Sequence, residues 1–236
     1  MVELPTIEPG VLCVASAFPD PPFEVVENGV ATGLDAELMD LVCARLGLRR
    51  VPVRYEARDF DGIFDGLASR TYDAVVSGTT ITAGREKVAL FSDAYLESGQ
   101  SVVVNIERTP SARSVDDLAG LTVGIQVGNT SDAVARDLER RGAIAGIRYY
   151  PYNGIEDALG DLSAGRIGAF IKLLPVMRWL TRGRAELAVV QEIPTHERLG
   201  IAVAPGNHAL CDAVNRALAD LRRGCELDRL TARWLR

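Results

Sequence analysis

The feature that most restricts the fold of this chain is the alternation of short apolar runs with amphipathic helical stretches. An apolar run at 11–15 precedes a helical stripe at 33–47, and alternating apolar residues at 51–55 precede a second stripe at 60–67. Strands that alternate with helices are typical of α/β layers built on a largely parallel sheet. The alternation starts again after residue 120, so we predict two α/β sets in tandem.

Residues 73–95, DAVVSGTTITAGREKVALFSDAY, predict a buried strand, a polar turn at Ser77–Thr80 and a short helix. Thr82 fits the N-cap of that helix, and Arg85 falls in its first turn. A helix N-terminus favours negative charge, and an arginine can bind a carboxylate through two hydrogen bonds. We therefore expect anion recognition here; an ordinary strand–turn–helix with a surface arginine is the alternative.

The second set repeats this arrangement. A strand ends in a Gly/Thr/Ser turn at 128–131, and a helix is predicted from about Thr130 to Arg141. Ligands of open α/β sheets bind beyond the carboxyl ends of the strands. Two such turns, one in each set, therefore predict a binding site for a small anion.

Composition and pattern argue against several other functions. The chain has 236 residues, is 47% hydrophobic and carries a formal net charge of −6, with no run of five like charges. Nucleic acid and anionic membranes are therefore poor partners. No stretch of 18 consecutive apolar residues occurs, so we expect no membrane span. Neither GxGxxG nor GxxxxGK[ST] occurs, which argues against nucleotide binding.

The spacing of the cysteines argues against a metal site or a thiol–redox site. Cys13, Cys43, Cys211 and Cys225 form no CxxC pair and have no histidine at metal-ligand spacing. We therefore expect no metal and no cofactor, although the sequence leaves a bridge between Cys13 and Cys43 open.

MVELPTIEPG has neither the basic start nor the apolar stretch of a signal peptide. A secreted protein looks the same once its leader is removed, so we expect any leader to lie outside this sequence.

The loop FPDPPF at 18–23 follows the first strand, and its three prolines rule out helix and ladder pairing. Rigid loops at strand ends often carry function. Its aromatic residues, Phe18 and Phe23, either face a ligand or fill the core, and the sequence alone supports both.

These stretches resemble the type II periplasmic solute-binding proteins, specifically the bacterial extracellular solute-binding family 3, which are receptors of polar amino-acid ABC importers. The resemblance covers nearly the whole chain. It is carried by TYDAVVSGTTITAGREKVALFSDAY at 71–95, GLDAELMDLV at 33–42, SVDDLAGLTVGIQVGNTS at 114–131, EDALGDLSAGR at 156–166, LGIAVAPGN at 199–207 and NRALADLRRGCELDRLTARWL at 215–235.

The resemblance implies an α/β fold of the two-lobed periplasmic binding protein type II class (Venus flytrap), each lobe a mostly parallel sheet flanked by helices. Lobe 1 is expected over residues 1–96 plus 196–236, and lobe 2 over 100–190. Two hinge crossings are expected at about 96–99 and 191–195.

The resemblance also assigns ligand contacts, residue by residue. Arg85 matches the family arginine that binds the ligand carboxylate. The other expected contacts are Ser77, Gly78, Thr80, Phe60 and Phe18 from lobe 1, and Thr130, Ser131 and Gln126 from lobe 2. For Phe60, a role in the core competes with a role in the site.

One departure affects the ligand. The family aspartate that receives an α-ammonium group is matched by Leu173, and an earlier aspartate by Gly168. A buried ammonium without a carboxylate is costly, so an ordinary α-amino acid in the ordinary pose is in question. Asp20 substitutes if its loop turns inward. Strand alternation directs Lys172 away from the face of Leu173. We therefore expect a surface lysine, and a role in the site is the alternative.

The resemblance implies a non-enzymatic, monomeric receptor outside the cytoplasm, periplasmic or lipid-anchored at the cell surface. It binds a small carboxylate or amino acid and passes it to a membrane permease of an ABC transporter. The alternatives are an enzyme similar to cyclohexadienyl dehydratases, or a ligand-sensing domain of a larger receptor. Both histidines lie outside the matched site, which argues against acid–base catalysis.

Overall fold

The computed structural model describes residues 4–27, 29–56 and 58–235. The chain divides into two compact units. Unit 1 contains Met1–Glu56, Asp61–Glu97 and Glu197–Arg236, and unit 2 contains Ala57–Phe60 and Ser98–His196.

The strands and helices are numbered along the chain. The strands are β1 Val11–Ala17, β2 Val25–Glu27, β3 Val30–Thr32, β4 Arg49–Tyr55, β5 Ala74–Val75, β6 Leu90–Phe91, β7 Leu96–Asn105, β8 Thr122–Gln126, β9 Gly146–Tyr150, β10 Ala169–Leu173, β11 Leu187–Leu199 and β12 Ala202–Val203. The α-helices are α1 Leu34–Leu46, α2 Asp65–Ala68, α3 Ser131–Arg140, α4 Ile155–Ala164, α5 Leu174–Leu180, α6 His208–Arg223 and α7 Glu226–Trp234.

Unit 1 is built on a five-stranded sheet in the order β4-β1-β5-β12-β6. Strand β1 runs parallel to β4 and to β5, whereas β12 runs antiparallel to β5 and β6. Helices α1, α6 and α7 pack together beside this sheet. Helix α1 ends at Gly47, whose left-handed backbone lets its N–H reach the Cys43 carbonyl, as is common at helix ends.

Unit 2 is built on a second five-stranded sheet in the order β11-β7-β10-β8-β9. The central strand β10 runs antiparallel to β7 and parallel to β8. All five residues of β10 are buried, because neighbouring strands lie on both sides and packed side chains cover both faces. Helix α5 follows β10 directly and carries Pro175 in its first turn, as predicted.

The predicted α/β fold class is confirmed, with mixed rather than mostly parallel pairing in the sheets. The helix predicted after Thr82 is only a single 3-10 turn, Arg85–Lys87, so its dipole is too short to contribute much to anion binding. The hairpin of β2 and β3 lies in a stretch that the sequence left without structure. All four cysteines are free thiols, so the bridge that the sequence left open is not formed. Among the residues described, no helix combines the length and the apolar character that a membrane span requires.

Candidate functional site

Arg85 is held in place by its own unit. Its side chain is only 8% exposed, and its Nε and Nη2 lie 3.0 Å from a carboxylate oxygen of Asp61, which is itself 58% exposed. Nη1 donates to the Thr80 carbonyl at 3.0 Å, and the guanidinium carbon lies 5.5 Å from the centre of the Phe64 ring. The guanidinium is therefore buried and oriented, and it already contacts a carboxylate whose side chain is largely exposed.

Thr80 is buried beside Arg85, but its hydroxyl group is committed. The hydroxyl donates to Oε2 of Glu197 at 2.5 Å, and Thr80 also forms a β-bridge with Leu199. Because its proton is used in the bond to Glu197, the Thr80 hydroxyl can accept a hydrogen bond from a further group but cannot donate one. Glu197 is a buried carboxylate that the sequence analysis did not select.

Ser77 and Gly78 form the turn that the sequence predicted, and both have structural tasks. The Ser77 hydroxyl accepts a hydrogen bond from the Ala17 N–H at 3.1 Å, which ties the turn to the end of β1. Gly78 has φ +51°, and a Cβ added there would lie 3.0 Å from the Phe23 ring. Phe23 is fully buried, so of its two proposed roles the structure shows the core role. Packing of the buried Phe23 ring against Gly78 therefore shapes the turn.

A cluster of buried acids lies behind this turn. Asp35 is fully buried, and its Oδ2 accepts the Gly78 N–H at 2.7 Å. Burial raises the pKa of Asp35 to about 6. Burial, with Asp35 and Asp20 nearby, raises the pKa of Glu24 well above its usual value. Within the part of the chain that the structure describes, neither Glu24 carboxyl oxygen has a hydrogen-bond partner.

The proline-containing loop is turned into unit 1. Asp20 is buried and forms a β-bridge with Glu24, so its part of the loop packs into unit 1, and its role as a ligand contact stays a prediction. Its charge contributes to the raised pKa values of Glu24 and Asp35. Phe18 is nearly buried, with the Arg54 guanidinium 5.9 Å from the centre of its ring.

In unit 2, the carboxyl ends of β8 and β10 bring Gln126 and Lys172 together. Lys172 Nζ donates to Gln126 Oε1 at 2.7 Å and lies 5.2 Å from the centre of the Tyr152 ring. Gln126 Nε2 in turn donates to the Tyr152 carbonyl. Lys172 is 2% exposed, so the expectation of a surface lysine is wrong. Strand alternation separates two faces, but both faces of a central strand are covered, so neither leads to solvent.

Helix α3 begins at Ser131, with Thr130 as its N-cap, as predicted. The side chain of Gln100 holds Thr130 in place. Gln100 Nε2 donates to the Thr130 hydroxyl at 3.1 Å. Ser131 is fully buried, and its hydroxyl has no hydrogen-bond partner among the described residues. A buried hydroxyl without a partner costs free energy, so Ser131 is a position where a bound group would be stabilising.

Phe60 belongs to unit 2 by its contacts. Its ring centre lies 5.1 Å from that of Tyr152, and its backbone N–H reaches the Val127 carbonyl at 3.4 Å. The side chain is buried, so it packs against Tyr152 and extends the group formed by Gln126 and Lys172.

The structure thus places the predicted residues in two groups. Unit 1 holds Arg85, Thr80, Ser77, Gly78, Asp20 and Phe18, and unit 2 holds Gln126, Thr130, Ser131 and Phe60. Sequence reasoning did not select Asp61, Glu197, Tyr152 and Gln100, and it assigned Lys172 to the surface. Asp61 stands next to the selected Phe60, which is the one signal that pointed to it. The others become site candidates only through tertiary contacts.

Two further features of the described residues bear on the choice of site. They contain no group of three or more His, Cys, Asp or Glu side chains arranged to hold a metal ion. A surface groove of about 600 Å³ on unit 1 is lined by Leu67, Arg70, Tyr72 and residues 204–209, among others. It includes none of the residues predicted to bind ligand, so we place the functional site elsewhere.

With the two groups described, comparison with known proteins assigns the chain to a class. Residues 12–236 match the bacterial extracellular solute-binding proteins, family 3, and the chain belongs to that family. It is therefore a solute-binding protein with the fold of type II periplasmic binding proteins.

Individual relatives make the class more specific. The chain is 29% identical over 221 residues to ABC transporter arginine-binding protein 1 of Escherichia coli (strain K12), covering 91% of this chain and 86% of that protein. A solved structure of an ancestral arginine-binding protein bound to arginine superposes with a TM-score of 0.87 at 30% identity, covering 96% and 99% of the two chains. An ancestral amino acid-binding protein described as a precursor of cyclohexadienyl dehydratase gives a TM-score of 0.84 at 30% identity, covering 96% of each chain.

Proposed function

We propose that this protein is the extracytoplasmic receptor of an ABC importer, that it binds a small solute with a carboxylate group, and that it delivers the solute to a membrane permease. The family and the relatives named as ABC transporter proteins support the proposed permease partner and the proposed periplasmic or cell-surface location. The solute is an amino acid or a related acid.

The observation that carries this proposal is the buried Arg85. Its guanidinium is oriented by the Thr80 carbonyl and the Phe64 ring, and it already contacts the carboxylate of Asp61. A solute carboxylate that displaces the exposed Asp61 side chain would gain a charge-assisted contact with a preorganised cation. Thr80, Ser77 and Gly78 lie in the same unit as Arg85 and are proposed to contact the solute as well.

Binding calorimetry on Arg85→Ala tests the proposal. Truncation of one partner of a buried charge pair costs about 2–5 kcal/mol, so the solute affinity should fall by well over tenfold. The matched control is Arg216→Ala, since Arg216 is exposed on α6. An unchanged affinity in Arg85→Ala, with normal circular dichroism, would remove Arg85 from the binding site.

We further propose that the protein acts without catalysis. The structural relative associated with cyclohexadienyl dehydratase is itself described as an amino acid-binding protein, which favours binding. The enzyme alternative is tested directly by incubating the protein with prephenate or arogenate. We expect no absorbance of an aromatic product above that of a buffer control; its appearance would establish the dehydratase activity instead.

A further inference from the structure

Two buried acids of unit 1 have more acceptor oxygens than donors around them. Glu24 is 1% exposed and Asp35 is fully buried. Both Glu24 carboxyl oxygens and Asp35 Oδ1 have no hydrogen-bond partner among the described residues, while Asp35 Oδ2 accepts the Gly78 N–H at 2.7 Å. The hydroxyl of Tyr95 is buried beside the two acids and also has no partner in the part of the chain described. Buried polar oxygens are normally hydrogen-bonded, so these acceptors require a donor.

The groups with the largest effect on Glu24 are acidic or uncharged. Asp35 on α1 and Asp20 in the proline-containing loop are acids. Ser77 in the turn and Tyr95 before β7 carry no charge at neutral pH. Two neighbouring buried carboxylates cannot both ionise without strong repulsion, and one proton held between them removes that repulsion. The same proton supplies a donor to the unpartnered oxygens.

Backbone contacts hold the two acids in their places. The Leu34 N–H donates to the Pro22 carbonyl at 2.9 Å, and the Asp35 N–H donates to the Phe23 carbonyl at 3.2 Å. The loop therefore lies against the start of α1. Gly33 allows this close approach, because a Cβ added there would lie 2.2 Å from the Phe23 carbonyl oxygen. The backbone thus leaves the acids little room to separate when the repulsion between them increases.

The pair is connected to the turn at 77–80 through Gly78. Its N–H donates to Asp35 Oδ2, and a Cβ added to it would lie 3.0 Å from the Phe23 ring. The position of Gly78 therefore depends on the two elements that carry the acids. Because the backbone fixes these elements to each other, repulsion between two charged acids acts on the turn.

We infer that Glu24 and Asp35 share one proton and act as a positioning pair for the solute-binding turn, so that solute affinity falls when the pair loses this proton. This inference rests on the proposed function, in which Ser77 and Gly78 contact the solute. The acids themselves do not contact the solute, since they act through the Gly78 N–H. The proton is held at lower pH, so the affinity is highest there and decreases as the pH rises through the ionisation of the pair.

Calorimetry at several pH values tests the link to binding. Wild type, Glu24→Gln and Asp35→Asn are titrated with the tightest-binding member of a panel of L-arginine, L-glutamine and L-glutamate, between about pH 6 and about pH 9. The ratio of the wild-type to the variant dissociation constant cancels the titration of the solute itself. We expect this ratio to rise by about threefold or more over the range, because an amide in place of either acid prevents the second charge. Glu27→Gln, at an exposed position of β2, should match the wild type.

Infrared spectroscopy tests the shared proton without any solute. At neutral pH we expect the wild type to show the carbonyl stretch of a protonated carboxylic acid, since exposed carboxyl groups are ionised there. Glu24→Gln should lose this band, and Glu27→Gln should keep it. A purely structural role of Glu24 would change stability but would produce neither the band nor the pH-dependent ratio.

Four results would overturn the inference: absence of the infrared band from the wild type, persistence of the band in Glu24→Gln, a constant ratio of dissociation constants across the pH range, or binding of no panel member. Failure of the proposed function looks different. In that case the wild type binds a panel member and Arg85→Ala binds it with the same affinity, whatever the pH dependence. The same set of proteins therefore distinguishes the two failures.

Discussion

Unit 1 and unit 2 each bury a basic side chain, but Arg85 lies in a 3-10 turn, whereas Lys172 lies in the central strand of its sheet. Arg85 contacts the carboxylate of Asp61 and lies in the unit that also buries Glu24 and Asp35. Lys172 contacts an amide oxygen and an aromatic ring. The two units therefore position a buried cation through different elements: a 3-10 turn in unit 1 and the central strand of the sheet in unit 2.

The largest expected effect concerns the buried acids of unit 1. Asp35 has a folded-state pKa of about 6, raised by burial above the ordinary value of 3.8. Its contribution to stability is therefore fully present below about pH 4 and is lost as the pH rises through 6. A shift of this size corresponds to about 3 kcal/mol. We expect Asp35→Asn to remove this part of the pH dependence, measured by urea unfolding between pH 4 and 7.

Asp161 in unit 2 supplies the comparison of opposite sign. Its pKa is lowered, first by the hydrogen bond from Tyr150 and then by Arg166 and Arg148. Its stabilising contribution is present above pH 4 and is lost as the pH falls. Asp161→Asn should therefore reduce the loss of stability in acid and leave the Asp35 slope intact. Equal slopes in wild type and Asp35→Asn would contradict the assignment to Asp35.

The next effect tests how the turn of unit 1 is shaped. Gly78→Ala places a Cβ at φ +51° and 3.0 Å from the Phe23 ring. The left-handed backbone and the contact together should lower the free energy of unfolding by about 2–3 kcal/mol. Gly47→Ala is the matched control, because Gly47 has φ +68° with nothing within 4 Å of the added Cβ. If both variants lose the same stability in thermal unfolding, the Phe23 contact has no role.

A third prediction compares the two cations directly in the ligand-free protein. Arg85→Met removes the contacts with Asp61 and with the Thr80 carbonyl, and we expect it to lower stability by about 2 kcal/mol. Lys172→Met removes the hydrogen bond to Gln126 and the contact with the Tyr152 ring, and it also removes a desolvated charge. The removal of the desolvated charge offsets part of the loss, so we expect a smaller change than in Arg85→Met. A greater loss in Lys172→Met than in Arg85→Met, measured by urea unfolding, would reverse the comparison.

The smallest effect lies where β11 passes from unit 2 to unit 1. His196 has φ +51°, a left-handed conformation that is uncommon for a residue with a side chain. His196→Gly should relieve this strain, partly offset by the greater flexibility of glycine when unfolded, for a gain of about 0.5 kcal/mol. The control is Arg70→Gly in unit 1, because Arg70 has a similar left-handed backbone with φ +56°. Loss of stability in His196→Gly alone would show that the histidine side chain contributes contacts there.

Local patterns were sufficient where a single element decides the outcome. The run at 11–15 and the stripe at 33–47 predicted β1 and α1, because burial of one strand or one helix face leaves a periodic mark in the sequence. Pro175 predicted the start of α5, since proline suits the first turn of a helix.

Local patterns were insufficient where the environment came from distant residues. The helix expected after Thr82 is a single 3-10 turn, since Arg85 is directed toward Asp61 and Thr80 by tertiary contacts rather than by a continuing helix. Lys172 could not be placed by alternation, because its burial depends on the strands on both sides of β10 and on the packing over both sheet faces.

By itself, the sequence determined the α/β class, the family, the position of both turns and the identity of Arg85 as an anchor candidate. These follow from periodicity, turn chemistry and long motifs, which are properties of neighbouring residues. Only the tertiary structure decided which charges are buried and what they contact: Asp61 on Arg85, Gln126 on Lys172, and Asp35 beneath Gly78. Desolvation and pairing depend on residues far apart in the chain, and no local pattern records them.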